Sequence, residues 1–474
     1  MPNRQAGLVL ATALAVLAGA QAQARPDDRD EYEQMDRGSG FPWLENPFPG
    51  IYVPPAPADL LIRDATILDG AGKRIDNGDV LLAEGKVVAI GEDVANPGGV
   101  AEIDGTGRWV TPGVIDVHSH DGTYVLPLTA IDWDAGDVSE LSDLNVADTR
   151  IETAVNPQDL AFSRALRNGV TTIQILPGSS PVFSGYSVVV KPVPATHVAA
   201  MKFPDAPPGF KMTCGENPKS HGAEKGRGAT SREGVVAFTR RAFLQAQDYV
   251  HDWKRFRAGK GRPPDRDLKR DALAGILEGG VRVHMHCYRA DDLATALAVA
   301  SEFGFRITAF HHATEAYKVP ELLRAAGTCA AVWGDWWGFK MEALDAVRAN
   351  APLLHRAGAC VAMHSDSPAS GQRLNIEAAK AQAAGRRIGI DIPPEEMIRW
   401  TTSAPARMLG LADRIGTLAP GYNADVVVWS GDPFSIYSKA ELVLIDGAVR
   451  FDAKAPPEPG SDFEVGRPVM SSMR

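Results

Sequence analysis

Cysteine, clustered positive charge and long apolar segments are all scarce in this chain. Only four cysteines occur in 474 residues, and 49 Lys and Arg residues stand against 59 Asp and Glu, a net charge of −10. The scattered basic residues form no patch that would suit nucleic acid, so nucleic-acid binding is not expected. The cysteines lie in or beside apolar strand-like runs, where we expect buried free thiols and no disulfide framework. They are Cys214, Cys287, Cys329 and Cys360.

The amino terminus carries the features of an export signal. Arg4 precedes an apolar stretch from residue 7 to residue 20, and Ala22-Gln-Ala24 follows it. This order is typical of a secretory signal peptide over residues 1–24, and no twin arginine is present, so the general secretory route is expected. The stretch is too short and too rich in alanine for a membrane span. The mature chain would then begin near Arg25, in the periplasm or outside the cell; the alternative is an uncleaved anchor.

The segments on either side of the central region differ from it in pattern. Residues 25–58 are charged and then rich in proline and aromatics, which predicts an extended surface segment. Short β-rich runs with Asp-Gly and Glu-Gly turns fill residues 59–111, and the pattern returns at residues 412–455. Short strands from both parts of the chain most simply form one small composite β-sandwich domain. Residues 456–474 remain as a carboxyl-terminal tail.

The most informative stretch is an apolar run that begins at Pro112 and ends in His118-Ser-His120. Side chains alternate along a strand, so the two histidines leave the same face. Neutral imidazoles are good ligands for zinc at neutral pH. Such pairs also arise by chance, so two ordinary histidines after a core strand are the alternative, and the rest of the chain decides between them.

Four further apolar runs also end in metal-binding or acid–base side chains. They end at Glu216, at His284 and His286, at His311 and His312, and at His364 and Asp366. Helical stretches such as 291–302, 319–326 and 374–384 follow them, and strands that alternate with helices predict a parallel sheet. Runs at 171–176, 188–190 and 329–332 bring the strand count to eight. We therefore predict an α/β fold with a (β/α)8 TIM barrel over residues 112–411, whose site lies at the carboxyl ends of the strands.

Six motifs along residues 59–452 resemble the amidohydrolase superfamily of metal-dependent hydrolases, and within it the imidazolonepropionase-like and prolidase-like group. They are Thr111–His120, His284–Asp292, His312–Lys318, His364–Pro368, Thr401–Gly410 and Gly416–Trp429. The resemblance implies a hydrolase that cleaves the C–N bond of a small amide, peptide or cyclic amide, with dipeptides among the candidate substrates. It also implies one or two divalent ions per chain, zinc above all, and is compatible with a homo-oligomer.

The resemblance implies a set of metal ligands: His118, His120, Glu216, His284, His312 and Asp366. Glu216 falls where other members place a bridging side chain, often a carboxylated lysine. A carboxylate could bridge two cations directly. Lys211 and Lys191 are the alternatives for the bridge, and a helix-start or ion-pair role is the alternative for Glu216. Asp366 is expected both to bind the first metal and to be the catalytic proton shuttle.

The resemblance and the strand pattern also single out residues around the metals. His286 shares a face with His284 and is read as a substrate-binding or supporting group, whereas His311 is expected to face away from the metals. His364 could steady an oxyanion. The other candidate substrate residues are Tyr288, Arg289, whose guanidinium suits a substrate carboxylate, and Trp333, which begins an aromatic segment. That segment lines the cleft, forms a hydrophobic cover or makes an oligomer contact.

The implied reaction begins with water that loses its proton at the metals and attacks the polarised carbonyl, after which Asp366 passes the proton to the leaving nitrogen. One alternative is deamination at a single metal, which usually requires a glutamate shortly after the fifth-strand histidine. Residues 285–290 contain none. A catalytically silent scaffold of the same fold is the other alternative, and it predicts missing ligands, whereas every expected position is filled here.

Overall fold

The computed structural model describes residues 40–226 and 228–455. The expected signal peptide, the first part of the proline-rich segment and the carboxyl-terminal tail lie outside these residues. Across the described part of the chain, every helix is too short or too polar to cross a membrane.

The strands of the described residues are β1 (Leu60–Leu68), β2 (Arg74–Ala83), β3 (Lys86–Gly91), β4 (Ala101–Asp104), β5 (Trp109–Pro112), β6 (Val114–Ser119), β7 (Val170–Ile175), β8 (Phe183–Tyr186), β9 (Val188–Val190), β10 (Gly209–Thr213), β11 (Arg282–Cys287), β12 (Ile307–His312), β13 (Cys329–Val332), β14 (Val361–Met363), β15 (Val426–Trp429), β16 (Ala440–Ile445) and β17 (Ala448–Asp452). The α-helices are α1 (Ala130–Asp134), α2 (Leu160–Arg167), α3 (Glu216–Glu224), α4 (Arg232–Arg257), α5 (Leu268–Leu277), α6 (Ala290–Phe303), α7 (Pro320–Ala326), α8 (Asn350–Arg356), α9 (Pro368–Gly371), α10 (Leu374–Arg387), α11 (Pro394–Met397) and α12 (Ser403–Leu409). Short 3-10 helices occupy Pro42–Leu44, Ile151–Thr153, Val198–Ala200, Ala316–Lys318, Met341–Ala343 and Ile398–Trp400.

The first five and the last three strands form one sheet of eight strands, in the order β17-β16-β15-β5-β1-β2-β3, with β4 also paired to β1. The two parts of the chain meet where β15 runs antiparallel to β5, with Val428 opposite Val110. The indole N–H of Trp429 donates to the hydroxyl of Thr111 across this junction, at 2.9 Å. Strands from both segments therefore share a single sheet, and two separate sandwich layers are not distinguished in it.

The central region supplies the two sheets that hold the site. Strands β10 to β14 run parallel in chain order, and β6 and β7 form a second parallel pair. The ends of β6 and β14 meet where the backbone N–H of Asp366 donates to the carbonyl of His118, at 2.9 Å. The third strand expected from the sequence, at residues 188–190, is β9, and it departs from the predicted parallel order. β9 pairs antiparallel with β7, and β8 pairs antiparallel with β10. Residues 176–182 contain no helix, and a parallel crossover needs a longer connection than this.

The expectation of free thiols is wrong, because all four cysteines are paired. Cys214 and Cys287 join the carboxyl ends of β10 and β11, with their Cα atoms 5.3 Å apart. Cys329 and Cys360 join the amino-terminal ends of β13 and β14, at a Cα separation of 4.6 Å. These separations are in the range that a disulfide requires. The sequence places each cysteine near a strand end but does not reveal which strands are neighbours in register.

Candidate metal centre

Three side chains meet where β6 ends beside the segment that follows β14. The Nε2 atoms of His118 and His120 lie 3.1 and 3.0 Å from the same oxygen, Oδ1 of Asp366. The ring of His120 is fixed by its Nδ1–H, which donates to the carbonyl of Leu176 at 2.8 Å. Both histidines are buried, while the Asp366 side chain retains 20% of its exposure. Strand alternation thus directs both rings to one point, as the sequence predicts.

Lys211 is the fourth group at this point. It lies in the middle of β10, is fully buried, and places its ammonium Nζ 3.4 Å from Nε2 of His118. The ammonium also donates to the carbonyl of Pro177 at 3.3 Å. Burial lowers the pKa of Lys211 to about 8, although the charge of Asp366 partly opposes this. The lowered pKa makes the neutral amine easier to reach than it is for an exposed lysine.

A second group of histidines lies beside the first. The ligand atoms of His118, His312 and His364 all lie within 4.8 Å of one another, and the rings of His286 and His312 are 4.4 Å apart. Both ring nitrogens of His286 and the Nδ1 atoms of His312 and His364 are buried without a hydrogen-bond partner among the described residues. Buried polar atoms of this kind are costly unless a further ligand completes them.

His284 and His311 form a buried chain behind these rings. Nδ1 of His311 lies 3.0 Å from Nδ1 of His118, and its Nε2 lies 2.9 Å from Nδ1 of His284. One ring nitrogen of His284, Nδ1, is therefore engaged by His311, and its ring lies against His311 and not against the second group. Among the two histidines of β11, His286 and not His284 faces His312.

The expectation that His311 faces away from the metals is wrong, as these contacts show. In β12, His311 pairs with His286 of the neighbouring parallel strand, so it shares the inward face. The alternation of side chains along β12 breaks at His312, because its φ of 71° places the backbone in the left-handed region. Asp366 does the same after β14, with φ of 55°. Non-glycine residues in this region are strained and cluster at functional sites, and here the strain turns both side chains inward.

Glu216 does not join this cluster. It is the first residue of α3, half-buried, and its backbone N–H donates to Oε1 of Glu342 at 2.7 Å. This is the helix-start role that the sequence left as an alternative, so Lys211 replaces Glu216 as the candidate bridging residue. Lys191, the other alternative, is buried between Asp425 and Asp446 in ion pairs of 3.3 and 2.9 Å.

Aromatic rings cover the second group of histidines. Tyr288 and Trp333 are buried and stack on His312, with ring centroids 5.1 and 4.4 Å away. The ammonium of Lys340 lies 3.9 Å from the centroid of Tyr288. Arg289 instead pairs with its neighbour Asp291 at 2.7 Å and remains 43% exposed, so its guanidinium is already engaged.

The segment that carries Lys340 is anchored by Glu342, which the sequence did not single out. Its carboxylate accepts from the N–H of Glu216 and pairs with Arg232 at 2.5 Å. Gly215 makes this approach possible, because a Cβ there would lie 2.3 Å from Oε1 of Glu342. A buried acid fixed by a helix start and a guanidinium holds the aromatic cover in place. A glutamate in an apolar loop gave no pattern from which this role could be read.

Burial sets the protonation of the whole cluster. It lowers the pKa of His284 and of His364 to about 3, and it lowers that of His118 and His312 well below the usual range. Burial would raise the pKa of Asp366, but electrostatic interaction with His312 and a hydrogen bond from His120 lower it overall. At neutral pH the site thus presents neutral imidazoles and a carboxylate, the donor set that divalent zinc prefers. The unpartnered nitrogens and this donor set fit a divalent metal.

Comparison with known proteins agrees with this site. The family model "Amidohydrolase family" matches residues 109–455. Amidohydrolase tasK of Hapsidospora irregularis is 32% identical over 469 residues, which cover 91% of this chain and 46% of that protein, so the chain spans about half of its relative's length. An imidazolonepropionase of Mesorhizobium japonicum is 25% identical over 406 residues, 80% of this chain and 92% of that one. The crystal structure of an amidohydrolase from Thermotoga maritima superposes with a TM-score of 0.76 at 32% identity, covering 83% of this chain and all of that one.

The chain therefore belongs to the amidohydrolase family. The family and the Thermotoga maritima structure imply the TIM-barrel fold of this superfamily for the central region, whose strands lie in one six-stranded and one three-stranded sheet. The histidines and the aspartate of the cluster form groups that could hold a divalent metal.

Proposed function

We propose that the protein hydrolyses the C–N bond of a small amide, a peptide or a cyclic amide, with up to two divalent ions, most simply Zn²⁺, held in the histidine cluster. One observation carries the proposal: side chains from five strands converge in one buried cluster and leave ligand nitrogens without partners among the described residues. The contributing residues are His118, His120, Lys211, His286, His312 and Asp366.

Each residue has a role that its position supports. His118, His120 and Asp366 would hold the first ion, since their ligand atoms already share one point. His286 and His312 would hold the second, and this assigns to His286 the ligand role that the sequence gave to His284. Lys211 would bridge the two after its neutral amine attacks carbon dioxide, forms an N–C bond and releases a proton, which yields a carbamate. Its lowered pKa favours that step, because only the neutral amine is nucleophilic.

When bound, divalent metal supplies a Lewis acid that acidifies water and polarises a carbonyl. Asp366 performs the proton transfers: its carboxylate, kept ionised by the surrounding histidines, accepts the proton of the attacking water and delivers it to the leaving nitrogen. Nε2 of His364 accepts the backbone N–H of His312 at 3.2 Å, so Nδ1 carries the ring proton and is available to donate to a developing oxyanion.

The aromatic cover favours a substrate with a flat or apolar group next to the scissile bond. Tyr288 and Trp333 are buried and already stack on His312, so they offer the substrate an apolar wall and not a free stacking face. Arg289 is not proposed as the substrate anchor, because Asp291 already occupies its guanidinium.

We also propose that the protein works outside the cytoplasm. Two disulfides support this, because such bonds persist in oxidising compartments and are rare in the cytosol. The signal-like order of residues 1–24 points the same way. Amino-terminal sequencing of protein recovered from its native host tests the proposal; an intact Met1 on soluble cytoplasmic protein would contradict it.

The function is tested by metal analysis together with a substrate screen. Purified protein is expected to contain one to two equivalents of zinc and to hydrolyse at least one member of a panel of dipeptides, N-acyl amino acids and lactams. His286→Asn is expected to lose metal, whereas His251→Asn, an exposed histidine on α4, is the matched control and keeps it. Full metal content in His286→Asn would contradict the ligand assignment, and a metallated enzyme inert toward the whole panel would contradict the reaction.

A further inference from the structure

A second cavity lies at the end of the barrel opposite the histidine cluster. It measures about 410 Å³ and opens at the amino-terminal ends of β11, β12 and β13. Its walls include Arg282, Arg306 and Arg407, together with Thr308, and only one acidic residue, Asp413. Three guanidinium groups thus share one small space in a protein whose net charge is −10.

The backbone is shaped to admit one of these groups. Arg282 is half-buried, and its guanidinium lies against Gly410, the residue that ends α12 with φ of 75°. A Cβ at position 410 would lie only 2.3 Å from Nε of Arg282. Any other residue at Gly410 would both strain the backbone and displace the guanidinium. Arg282 is therefore held at the cavity wall and does not extend freely into solvent.

The protein compensates the positive charge in this cavity only in part, because one acidic residue, Asp413, lines it with three arginines. Burial lowers the pKa of Arg282, and the nearby charge of Arg306 lowers it further. Arg306 donates to the carbonyl of Gly327, a neutral acceptor. Among residues 40–226 and 228–455, no carboxylate lies within ion-pair distance of Arg282, Arg306 or Arg407. Arginine stays protonated at any ordinary pH, so like charges repel here unless an anion enters.

We propose that this cavity is a binding site for a phosphate group, separate from the metal centre. Guanidinium forks match the geometry of phosphate oxygens and bind them with paired hydrogen bonds. Thr308 supplies a hydroxyl on the same wall. The volume exceeds that of phosphate alone and lies in the range of small-molecule sites, about 300–1,000 Å³. The phosphate therefore belongs to a free anion or to a small phosphate monoester, and the two sources are separated by experiment.

The test is calorimetric titration of the full-length protein with inorganic phosphate and, separately, with glycerol 3-phosphate, at constant ionic strength set with chloride. Saturable binding of one equivalent is expected. Arg306→Gln and Arg407→Gln, both exposed and therefore tolerant of substitution, are each expected to weaken it at least tenfold. Arg167→Gln, an exposed arginine on α2 that does not line the cavity, is the matched control and is expected to bind as the wild type does.

Each outcome decides the proposal. Tighter binding of the monoester than of phosphate identifies an ester as the ligand, and equal binding identifies the free anion. Absence of saturable binding for both probes overturns the site. Equal binding by wild type and both cavity variants also overturns it, because the anion would then occupy the metal centre or another surface. Binding at the arginines does not depend on hydrolytic activity, so failure of the proposed function would leave this result unaffected.

Discussion

The two disulfides are expected to differ both in how much they stabilise the protein and in whether they influence the metal centre. Cys214 and Cys287 are separated by 73 residues, and Cys329 and Cys360 by 31. In the chain-entropy account, cross-links of these lengths contribute about 4.4 and about 3.7 kcal/mol to the free energy of unfolding at 25 °C. The first disulfide is therefore worth about 0.8 kcal/mol more than the second. Alanine pairs test this, since alanine adds no unsatisfied hydroxyl at buried positions.

The assay compares the urea midpoints of wild type, Cys214→Ala/Cys287→Ala and Cys329→Ala/Cys360→Ala, with metal removed so that ligand binding does not add to stability. Both variants are expected to unfold at lower urea, the first more than the second. Metal affinity is then measured by competition with a chelator. The first variant is expected to lose affinity, because Cys287 precedes Tyr288, which stacks on His312, whereas the second pair lies at the opposite ends of its strands.

Three results would each refute a part of this reasoning. Four titratable thiols in denatured protein that has never met a reductant would show that the cysteines are not paired. A larger loss of stability from the Cys329 and Cys360 pair would show that loop length does not set the order. Equal metal affinity in all three proteins would show that the disulfide between Cys214 and Cys287 does not influence the metal centre.

Three further predictions follow from individual residues. Asp366→Asn, compared with wild type after metal has been restored to equal content, is expected to lose about 10² to 10⁴ in turnover, as loss of general acid–base assistance does; near-normal turnover of the fully metallated variant would exclude the proton shuttle. His311→Leu is expected to weaken metal binding about 10- to 100-fold, because His311 orients His118 through the 3.0 Å contact, while His251→Leu has no effect in the same chelator competition. Burial and the charge of Asp446 raise the pKa of Asp425 from 3.8 to about 6 against the opposing charge of Lys191, so the folded protein binds this proton more tightly than the unfolded one. The stabilisation from this group is thus complete below about pH 4 and is lost as the pH rises to about 6. The melting temperature of wild type, relative to that of Asp425→Asn, should therefore fall over that interval and stay level above it. A rise of this difference with pH would contradict the predicted direction.

The alternation of side chains along strands predicted most of the fold and about half of the site residues. β12 ends at His312 as expected, and α6 and α10 begin within one residue of the expected positions. The placement of His118 and His120 at one point follows from alternation, because His118 lies in β6 and His120 directly follows its last residue. Asp366 could be placed because it closes the last apolar run. The division into domains and the periplasmic location remain predictions.

The remaining site assignments depended on what happens just after a strand ends. Alternation holds only while the backbone stays extended, and the left-handed turn at His312 lies beyond that limit. Glu216 attracted the bridging role because it follows β10, although two intervening residues carry it onto α3. The stronger signal was Lys211, since a lysine inside an otherwise apolar strand is rarely buried without a function. Prediction of the cysteine pairs would have required the register between neighbouring strands, which the sequence of a single strand does not contain.

The shared sheet has a consequence for how the chain is made. Strands β1 and β5 are synthesised early, yet β5 pairs with β15, whose residues emerge from the ribosome more than 300 positions later. Until then one side of β5 has no partner, and an unpaired strand edge invites association with other chains. The barrel between the two segments can collapse first, but the sheet beside it is completed only near the end of translation. A nascent chain held unfolded until release would avoid this exposure, whereas one that folds as it emerges would carry an open edge throughout most of its synthesis.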